Sequence, residues 1–174
     1  GQRSRGLCSV LALATASFDW KLAEDRGKNP SGKGFIQHLY DQAQATLHSA
    51  FQCAEAAGKG DPQGLRQLLD CLCMEAQLCN QAGHNRLARG SEHYFAYAAQ
   101  NLPESGLDWQ ELVGQGILLA AEWQGQDLSQ IEDALRAGGI PSTQLSMPEI
   151  EQIKKSLPAY CKKHKLDYGI AYEI

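Results

Sequence analysis

The stretch "FIQHLYDQAQATLHSAFQCAEAAG", from Phe35 to Gly58, decides the fold class of this chain. Its apolar residues recur every three or four positions, and this spacing places them on one face of an α-helix. Gly58 and Gly60 then end the helix. An amphipathic helix of this length needs other helices to cover its apolar face. The residues on that face are Phe35, Leu39, Ala43, Leu47, Ala50 and Cys53.

The same helical period continues through the rest of the chain, without alternating strands, internal repeats or low-complexity linkers. We therefore predict an all-α, multi-helix domain over residues 1–174, with six to eight helices. The tail after Leu166 is short and could lie extended. The further predicted helices run from Ser9 to Glu24, from Pro62 to just before Asn80, from Ser91 to Gln100, from Trp109 to about Trp123, over the segment that ends at Gly138, and from Pro148 to a kink or break at Pro158.

Two glycines lie inside the predicted helix "WQELVGQGILLAAEW" that Asp108 caps. Gly114 and Gly116 each cost about 1 kcal/mol relative to alanine in a helix interior. Such positions indicate close approach of another backbone or of a ligand. Helix–helix packing is the favoured interpretation.

Composition and charge exclude several classes of protein. The formal net charge is −4, and the basic residues are scattered among acids, which argues against nucleic acid as a partner. No apolar run approaches the roughly 20 residues of a membrane span. The basic start "GQRSRG" is not followed by the apolar core of a signal peptide. We expect a cytoplasmic protein.

Six cysteines invite a metal or disulfide interpretation. The spacing of Cys71, Cys73, Cys79 and His84 is not that of a structural zinc site, which offers pairs of ligands at a turn. On a continuous helix, Cys71 and Cys73 point about 200° apart. Small buried thiols in a reducing compartment are the favoured interpretation, with a metal cluster as the alternative.

Four short motifs occur in a recognisable order: "FDWKLAE" (18–24), "GSEH" (90–93), "ELVGQGILLAAEW" (111–123) and "ALRAGGIPST" (134–143). Together they resemble the C-terminal helical domain of the glycerol-1-phosphate dehydrogenases. Those enzymes belong to the larger group of iron-containing alcohol dehydrogenases and dehydroquinate synthases. The resemblance runs from about Gly6 to about Thr143.

The resemblance implies a two-domain protein of which this chain is the C-terminal half. In the family, an N-terminal α/β domain binds NAD(P), and the helical domain supplies a divalent metal, usually zinc, at the cleft between them. The metal polarises the carbonyl of dihydroxyacetone phosphate. No cofactor is expected in this chain itself. The implied partners are an upstream nucleotide-binding domain of the same protein, a phosphorylated small molecule and, as an open alternative, further copies of the chain.

The family's three metal ligands can be carried over one at a time. The histidine of its "G-[AS]-E-H" pattern matches His93. The aspartate of its "G-x-G-D" pattern is replaced by Ser9, and the histidine before its "G-E-x-V-G-x-G" pattern is replaced by Trp109. A catalytic zinc site normally needs three protein ligands. We therefore expect the fold to be inherited and metal-dependent dehydrogenation to be lost.

Each candidate site residue has two interpretations. His93 is either a surviving metal or substrate ligand or a packed, capping histidine. Arg86 and Arg89 either meet a substrate phosphate or are solvated surface residues. Trp109 either stacks on a planar ligand or fills the former metal position as an aromatic plug. Ser9, Arg89 and Trp109 are the candidate substrate-binding residues.

The other polar candidates receive plainer interpretations. In "FDWKLAE", Asp19 and Lys21 either line the interdomain cleft or merely separate the core residues Phe18, Trp20 and Leu22. Glu92 is an early-helix acid that the helix dipole favours. We expect the remaining histidines to lie at the surface; they are His38, His48, His84 and His164.

Two functions remain open at this stage. The first is the helical metal and substrate domain of an oxidoreductase-like protein whose metal site is degenerate. The alternative is a non-catalytic helical module that reuses the scaffold for binding or protein interaction.

Overall fold

The computed structural model describes residues 1–101, 108–140 and 145–174. Within these ranges the chain forms eight α-helices and one short 3₁₀ helix, with no β-strand, so the predicted all-α class is confirmed. The elements are α1 (Gln2–Leu11), α2 (Leu13–Asp25), α3 (Gln37–Lys59), α4 (Pro62–Ala82), α5 (Ser91–Ala99), α6 (Trp109–Trp123), α7 (Ser129–Ala137), α8 (Met147–Lys163) and the 3₁₀ helix Ile170–Tyr172.

The long helices α3 and α4 pack along each other because a tight connection joins them. Gly60 ends α3 in the left-handed conformation, with φ of 81°. The Asp61 carboxylate then accepts a hydrogen bond from the Gly64 N–H at 2.9 Å and caps α4, whose first residue is Pro62. Both the predicted cap and the predicted proline position are confirmed.

The core is built around α1 and α2, which lie among α3, α5 and α6. Leu11, Leu13 and Trp20 have no exposed surface. Burying an aliphatic or aromatic side chain of this size contributes about 1.5–3 kcal/mol each relative to exposure. The same burial fixes which residues of α1, α5 and α6 face one another, and these three helices carry the candidate site.

Gly116 brings α6 against α5, as the sequence predicted. A Cβ atom at this position would collide with the backbone of Glu92. At Gly114 the tight neighbour is the side chain of Ile140, 2.5 Å from where a Cβ would lie. Helix packing therefore explains Gly116, which sets the position of the first turn of α5, whereas Gly114 makes room for a residue that follows α7.

Several element boundaries differ from the sequence prediction. The first predicted helix begins earlier, at Gln2, and is divided at Ala12, where the N–H of Thr15 bonds to the Ala12 carbonyl three residues back. The helix α4 continues to Ala82 before Gly83 ends it. The tail forms a 3₁₀ turn instead of an extended segment.

The predicted break at Pro158 is wrong, because α8 continues through this residue to Lys163. Proline removes one helical N–H and leaves the carbonyl four residues earlier, that of Lys154, without its usual partner. Pro158 and Lys154 are both only half-buried. Water can therefore reach this part of the helix and satisfy the carbonyl.

A buried polar network anchors the tail and overturns two predictions. Asp19 is fully buried, and its carboxylate accepts hydrogen bonds from the N–H and hydroxyl of Ser91, the side chain of Gln124 and the N–H of Ile170, at 2.6 to 2.9 Å. Phe18 and Leu22, which were predicted to lie in the core, are only half-buried. Asp19 thus joins α2, α5, α6 and the tail and does not line a cleft.

Arg86 belongs to the same network, so its prediction as a surface arginine is wrong. Its side chain is only 1% exposed, and Nη2 donates to the carbonyl of Tyr168 at 2.7 Å. Nη2 also lies within hydrogen-bond distance of Asn29 and of the Asp19 carbonyl. His84 next to it is half-buried against Trp20, so this histidine is not a surface residue either. His38, His48 and His164 are exposed as predicted.

The cysteines follow the predicted pattern in the main. All six are free thiols, and Cys8, Cys53, Cys71 and Cys161 are buried. Cys71 and Cys73 lie on opposite faces of α4, one buried and the other exposed. Among the described helices, none is long and apolar enough to cross a membrane.

Candidate functional site

The four candidate site residues meet at one pocket of about 410 Å³. Ser9 comes from α1, Arg89 from the loop before α5, His93 from α5 and Trp109 from the start of α6. These residues are up to 100 positions apart in sequence. The fold therefore brings together the positions that the resemblance aligned with the family's metal ligands.

His93 is held by its neighbour in sequence. Its Nδ1 lies 2.8 Å from Oε1 of Glu92, and the imidazole is largely buried. A carboxylate oxygen at Nδ1 fixes the orientation of the ring and leaves Nε2 as its other polar atom. Because His93 lines the pocket, this arrangement presents a histidine whose rotation is restrained.

Glu92 is itself fixed by three further contacts. Its Oε1 accepts the N–H of Gly90 at 2.6 Å, and its Oε2 accepts the hydroxyl of Thr15 at 2.7 Å. Its backbone packs against Gly116. Glu92 lies in the first turn of α5, where the helix dipole favours an acid, and it is fully buried. It therefore acts as a rigid support for His93.

Glu75 of α4 is a pocket residue that the sequence analysis missed. The Ser9 hydroxyl lies 3.1 Å from both oxygens of its carboxylate. Burial raises the pKa of Glu75, while the Ser9 hydrogen bond and the charges of His93 and Arg89 oppose the rise. Its register could have revealed it, because Leu68, Leu72, Glu75 and Cys79 follow the three-to-four spacing of the core-facing side of α4.

Trp109 joins an aromatic group at the pocket wall. Its ring stacks on that of Tyr97, with centroids 5.3 Å apart and planes inclined by 25°, and lies 6.1 Å from the ring of His93. The capping box between Asp108 and Glu111 fixes the start of α6 and thus the position of Trp109. Because Tyr97 covers one face of the indole, the ring has at most one face left for a ligand.

Two arginines give the pocket its positive charge. Arg89 is exposed at the rim, and Arg5 approaches from α1. When the side-chain amide of Gln110 is oriented with its oxygen toward Arg5, it accepts from Nε at 2.7 Å and its nitrogen donates to Asp108. Two arginines oppose a single lining carboxylate, Glu75, so the pocket favours an anion.

The donor atoms present do not fit a catalytic zinc ion. Within the described ranges, no three His, Cys, Asp or Glu side chains are grouped so that they could hold a metal. Cys8 is in the pocket wall, and burial raises the pKa of its thiol to about 12, so the thiol adds no charge to the pocket. In the part of the chain that the structure describes, His93 is therefore not grouped with the two further ligands that a catalytic zinc site normally has.

Comparisons with known proteins identify relatives of one kind. No family model matches the chain. Glycerol-1-phosphate dehydrogenase [NAD(P)+] of Saccharolobus islandicus is 30% identical over 151 residues, which cover 86% of this chain and 42% of the relative. The enzymes of the same name from Sulfurisphaera tokodaii and Sulfolobus acidocaldarius are each 32% identical over 155 residues, which cover 87% of this chain and 43% and 42% of the relatives.

The chain thus spans about two-fifths of the length of the curated relatives that it matches. The matched region includes most of its helices, in agreement with the order of the four motifs. The resemblance of this helical chain to the glycerol-1-phosphate dehydrogenases is therefore confirmed over nearly nine-tenths of its length.

Proposed function

We propose that this chain forms the helical side of the substrate cleft in a protein of the glycerol-1-phosphate dehydrogenase type, and that the cleft binds a small phosphorylated molecule without a catalytic metal. A nucleotide-binding domain of the same protein would form the opposite side. In this proposal the site residues are Ser9, Arg89, His93 and Trp109. They bind and orient the ligand, and metal-dependent dehydrogenation is lost.

The observation that carries this proposal is the convergence of Ser9, His93 and Trp109 on one pocket. A phosphate ester carries the charge that Arg5 and Arg89 would attract, and arginine forms paired hydrogen bonds to phosphate oxygens. With Nδ1 donating to Glu92, Nε2 of the neutral His93 ring can accept a hydrogen bond from a hydroxyl of the ligand. Trp109 supplies an apolar surface for the carbon chain of the ligand.

The replaced ligands explain why the proposal contains no metal. Serine binds zinc weakly at neutral pH, and an indole ring offers no lone pair in its plane. Ser9 is moreover engaged with Glu75, and Trp109 is stacked on Tyr97. Restoring the family's residues should therefore restore part of the metal affinity.

Ligand binding tests the proposal directly. Glycerol 1-phosphate and glycerol are titrated into the chain by calorimetry in the presence of a chelator. We expect the phosphate ester to bind and glycerol not to bind. Trp109→Ala should weaken the binding about tenfold, which corresponds to about 1.4 kcal/mol. The control Arg66→Ala removes an exposed cation on α4 away from the pocket. Absence of binding by the wild-type chain would favour the alternative, a non-catalytic interaction module.

Metal analysis tests the second half of the proposal. We expect the wild-type chain to retain less than about a tenth of an equivalent of zinc after dialysis, well below the full occupancy of a three-ligand site. The double variant Ser9→Asp, Trp109→His should retain substantially more. Ser9→Ala, Trp109→Phe is the matched control, since it alters the same positions without adding ligands. Stoichiometric zinc in the wild-type chain would contradict the proposal.

A further inference from the structure

A second pocket lies on the other side of Arg89. It encloses about 190 Å³, which is the share of roughly six water molecules in the liquid. Its walls come from the loop after α2, the loop before α5, α5 itself and the loop after α8. Nothing in the proposed function of the first pocket requires this cavity.

Cationic side chains dominate the second pocket. Lys33, Arg89 and Lys165 line it, whereas Asp167 is the one acid among its lining residues. Asp167 is already neutralised by Lys33, whose Nζ lies 2.8 Å from Oδ2. Among the ion pairs of the described residues, none involves Arg89 or Lys165. Two positive charges are thus available to a ligand.

A buried guanidinium lies behind the same wall. Arg86 is next in sequence to Asn85, which lines the pocket. The positive charge of Arg86 acts on the phenol of Tyr94 and on His84. The charge of Asp167 acts on both groups as well, and that of Lys33 acts on His84. In the part of the chain that the structure describes, Nε and Nη1 of Arg86 have no hydrogen-bond partner. The unpaired donors of Arg86 add positive potential to this wall, and the nearby carboxylates of Asp19, Glu92 and Asp167 offset part of it.

The backbone of Lys165 adopts a strained, left-handed conformation. Its φ is 52°, the one positive value among the non-glycine residues described. Leu166 N–H bonds to the Cys161 carbonyl and Lys165 N–H to that of Lys162, so Lys165 occupies the position after α8 that glycine usually takes. A side chain there costs about 1 kcal/mol. Lys165 lines the pocket, so this strained position holds a cationic side chain where glycine would supply none.

We infer that this second pocket, formed by Lys33, Asn85, Arg89, Tyr94, Tyr97 and Lys165, binds a small oxyanion of the phosphate class. Lys165 and Arg89 supply the charges, and Asn85 and the tyrosine hydroxyls supply neutral donors. The site is separate from the ligand site of the first pocket and shares with it only Arg89.

The test uses nuclear magnetic resonance of the full chain during titration with inorganic phosphate, methyl phosphate and acetate. We expect phosphate to shift the backbone amides of Asn85 and Lys165 in a saturable manner, with acetate much weaker. Lys165→Gly should weaken phosphate binding about tenfold, the loss expected for one charge-assisted hydrogen bond. The variant also relieves the positive φ, so it should fold at least as well as the wild type.

The controls separate this inference from the proposed function. Lys155→Ala removes an exposed lysine of α8 that does not line the pocket and should leave the phosphate affinity unchanged. Ser9→Ala alters the first pocket only, since Ser9 does not line the second pocket, and should leave phosphate binding at Asn85 intact. Tighter binding of methyl phosphate than of phosphate indicates an esterified ligand, and the reverse order indicates the free ion. Unchanged affinity in Lys165→Gly, or no saturable shift at Asn85, overturns the inference.

Discussion

Nδ1 of His93 lies 2.8 Å from Oε1 of Glu92, although the two residues are adjacent in sequence and Glu92 is completely buried. The contact is possible because Glu92 is turned inward, where Thr15 and the N–H of Gly90 hold its two oxygens. Two adjacent residues in the first turn of α5 thus have complementary roles: His93 lines the pocket, and Glu92 restrains the His93 ring. The same geometry would suit a metal-binding histidine, and the two other positions that the resemblance aligned with the family's metal ligands hold Ser9 and Trp109.

The first prediction concerns the position of the proton on His93. In the neutral ring we expect Nδ1 to carry it, because the facing carboxylate oxygen can only accept. Long-range nitrogen–proton correlation spectra distinguish the two tautomers of each histidine. The exposed His48 is the internal control, since its ring nitrogen faces an amide that can donate or accept. A proton found on Nε2 of His93 would contradict the arrangement.

The second prediction concerns the close approach of α5 and α6. Gly116→Ala places a Cβ atom against the Glu92 backbone, so we expect the free energy of unfolding to fall by about 1–3 kcal/mol. Urea unfolding measures the change. Gly34→Ala is the matched control because a Cβ there meets no other atom. The His93 resonances should also shift in Gly116→Ala, since displacement of Glu92 moves its partner.

The third prediction concerns Glu75. Burial raises the pKa of this carboxyl, which means that its charged form is disfavoured in the folded protein. Glu75→Gln retains an oxygen that can accept from Ser9 and removes the charge. We expect unchanged or higher stability at neutral pH and a several-fold tighter binding of the phosphate ester in the first pocket, because a repulsive charge is lost. Weaker ester binding in this variant would show that Glu75 helps to hold the ligand.

The fourth prediction concerns pH. Burial, and then the nearby Glu92, raises the pKa of Asp19 from its ordinary 3.8 to about 6. Between these two values the folded state binds a proton that the unfolded state does not bind. Lowering the pH through this window therefore increases the free energy of unfolding contributed by this group, and raising the pH through about 6 removes that contribution.

Urea unfolding at pH 7 and pH 5 measures this contribution. Asp19→Asn should be less stable at both values, because its amide nitrogen would face hydrogen-bond donors, and it should lose the part of the pH dependence that Asp19 provides. The exposed Asp41→Asn is the control for removing an aspartate at the surface. An identical pH dependence in wild type and Asp19→Asn would contradict the prediction.

The local features of this fold could be predicted because they depend on near neighbours in the chain. The apolar face of α3, the cap at Asp61 and the capping box at Asp108 each involve residues within one or two helical turns. Gly116 could also be interpreted, since a glycine inside a helix has few uses other than close packing. Ser9, His93 and Trp109 are distant in sequence. Their meeting at one pocket could be predicted only from the resemblance that the order of the four motifs indicates.

The features that sequence reasoning missed depend on contacts between distant segments. Asp19 and Arg86 are charged residue types that are rarely buried, and partners distant in sequence, such as Ile170 and Tyr168, make their burial favourable. Glu75 differs, since its helical register placed it toward the core and could have been used. Pro158 was misjudged because the tolerance of a helix for proline depends on access of water to one carbonyl.

The bond between Asp19 and Ile170 also has a consequence for biosynthesis. The two residues are 151 positions apart, and translation adds about 5–20 residues per second, so on the order of ten seconds separate their synthesis. During that interval the Asp19 carboxylate of α2, and later the Arg86 guanidinium of the loop before α5, are without their tail partners. The nascent chain therefore cannot close its interior until residues 168–171 have left the ribosome, and molecular chaperones have that interval in which to act on it.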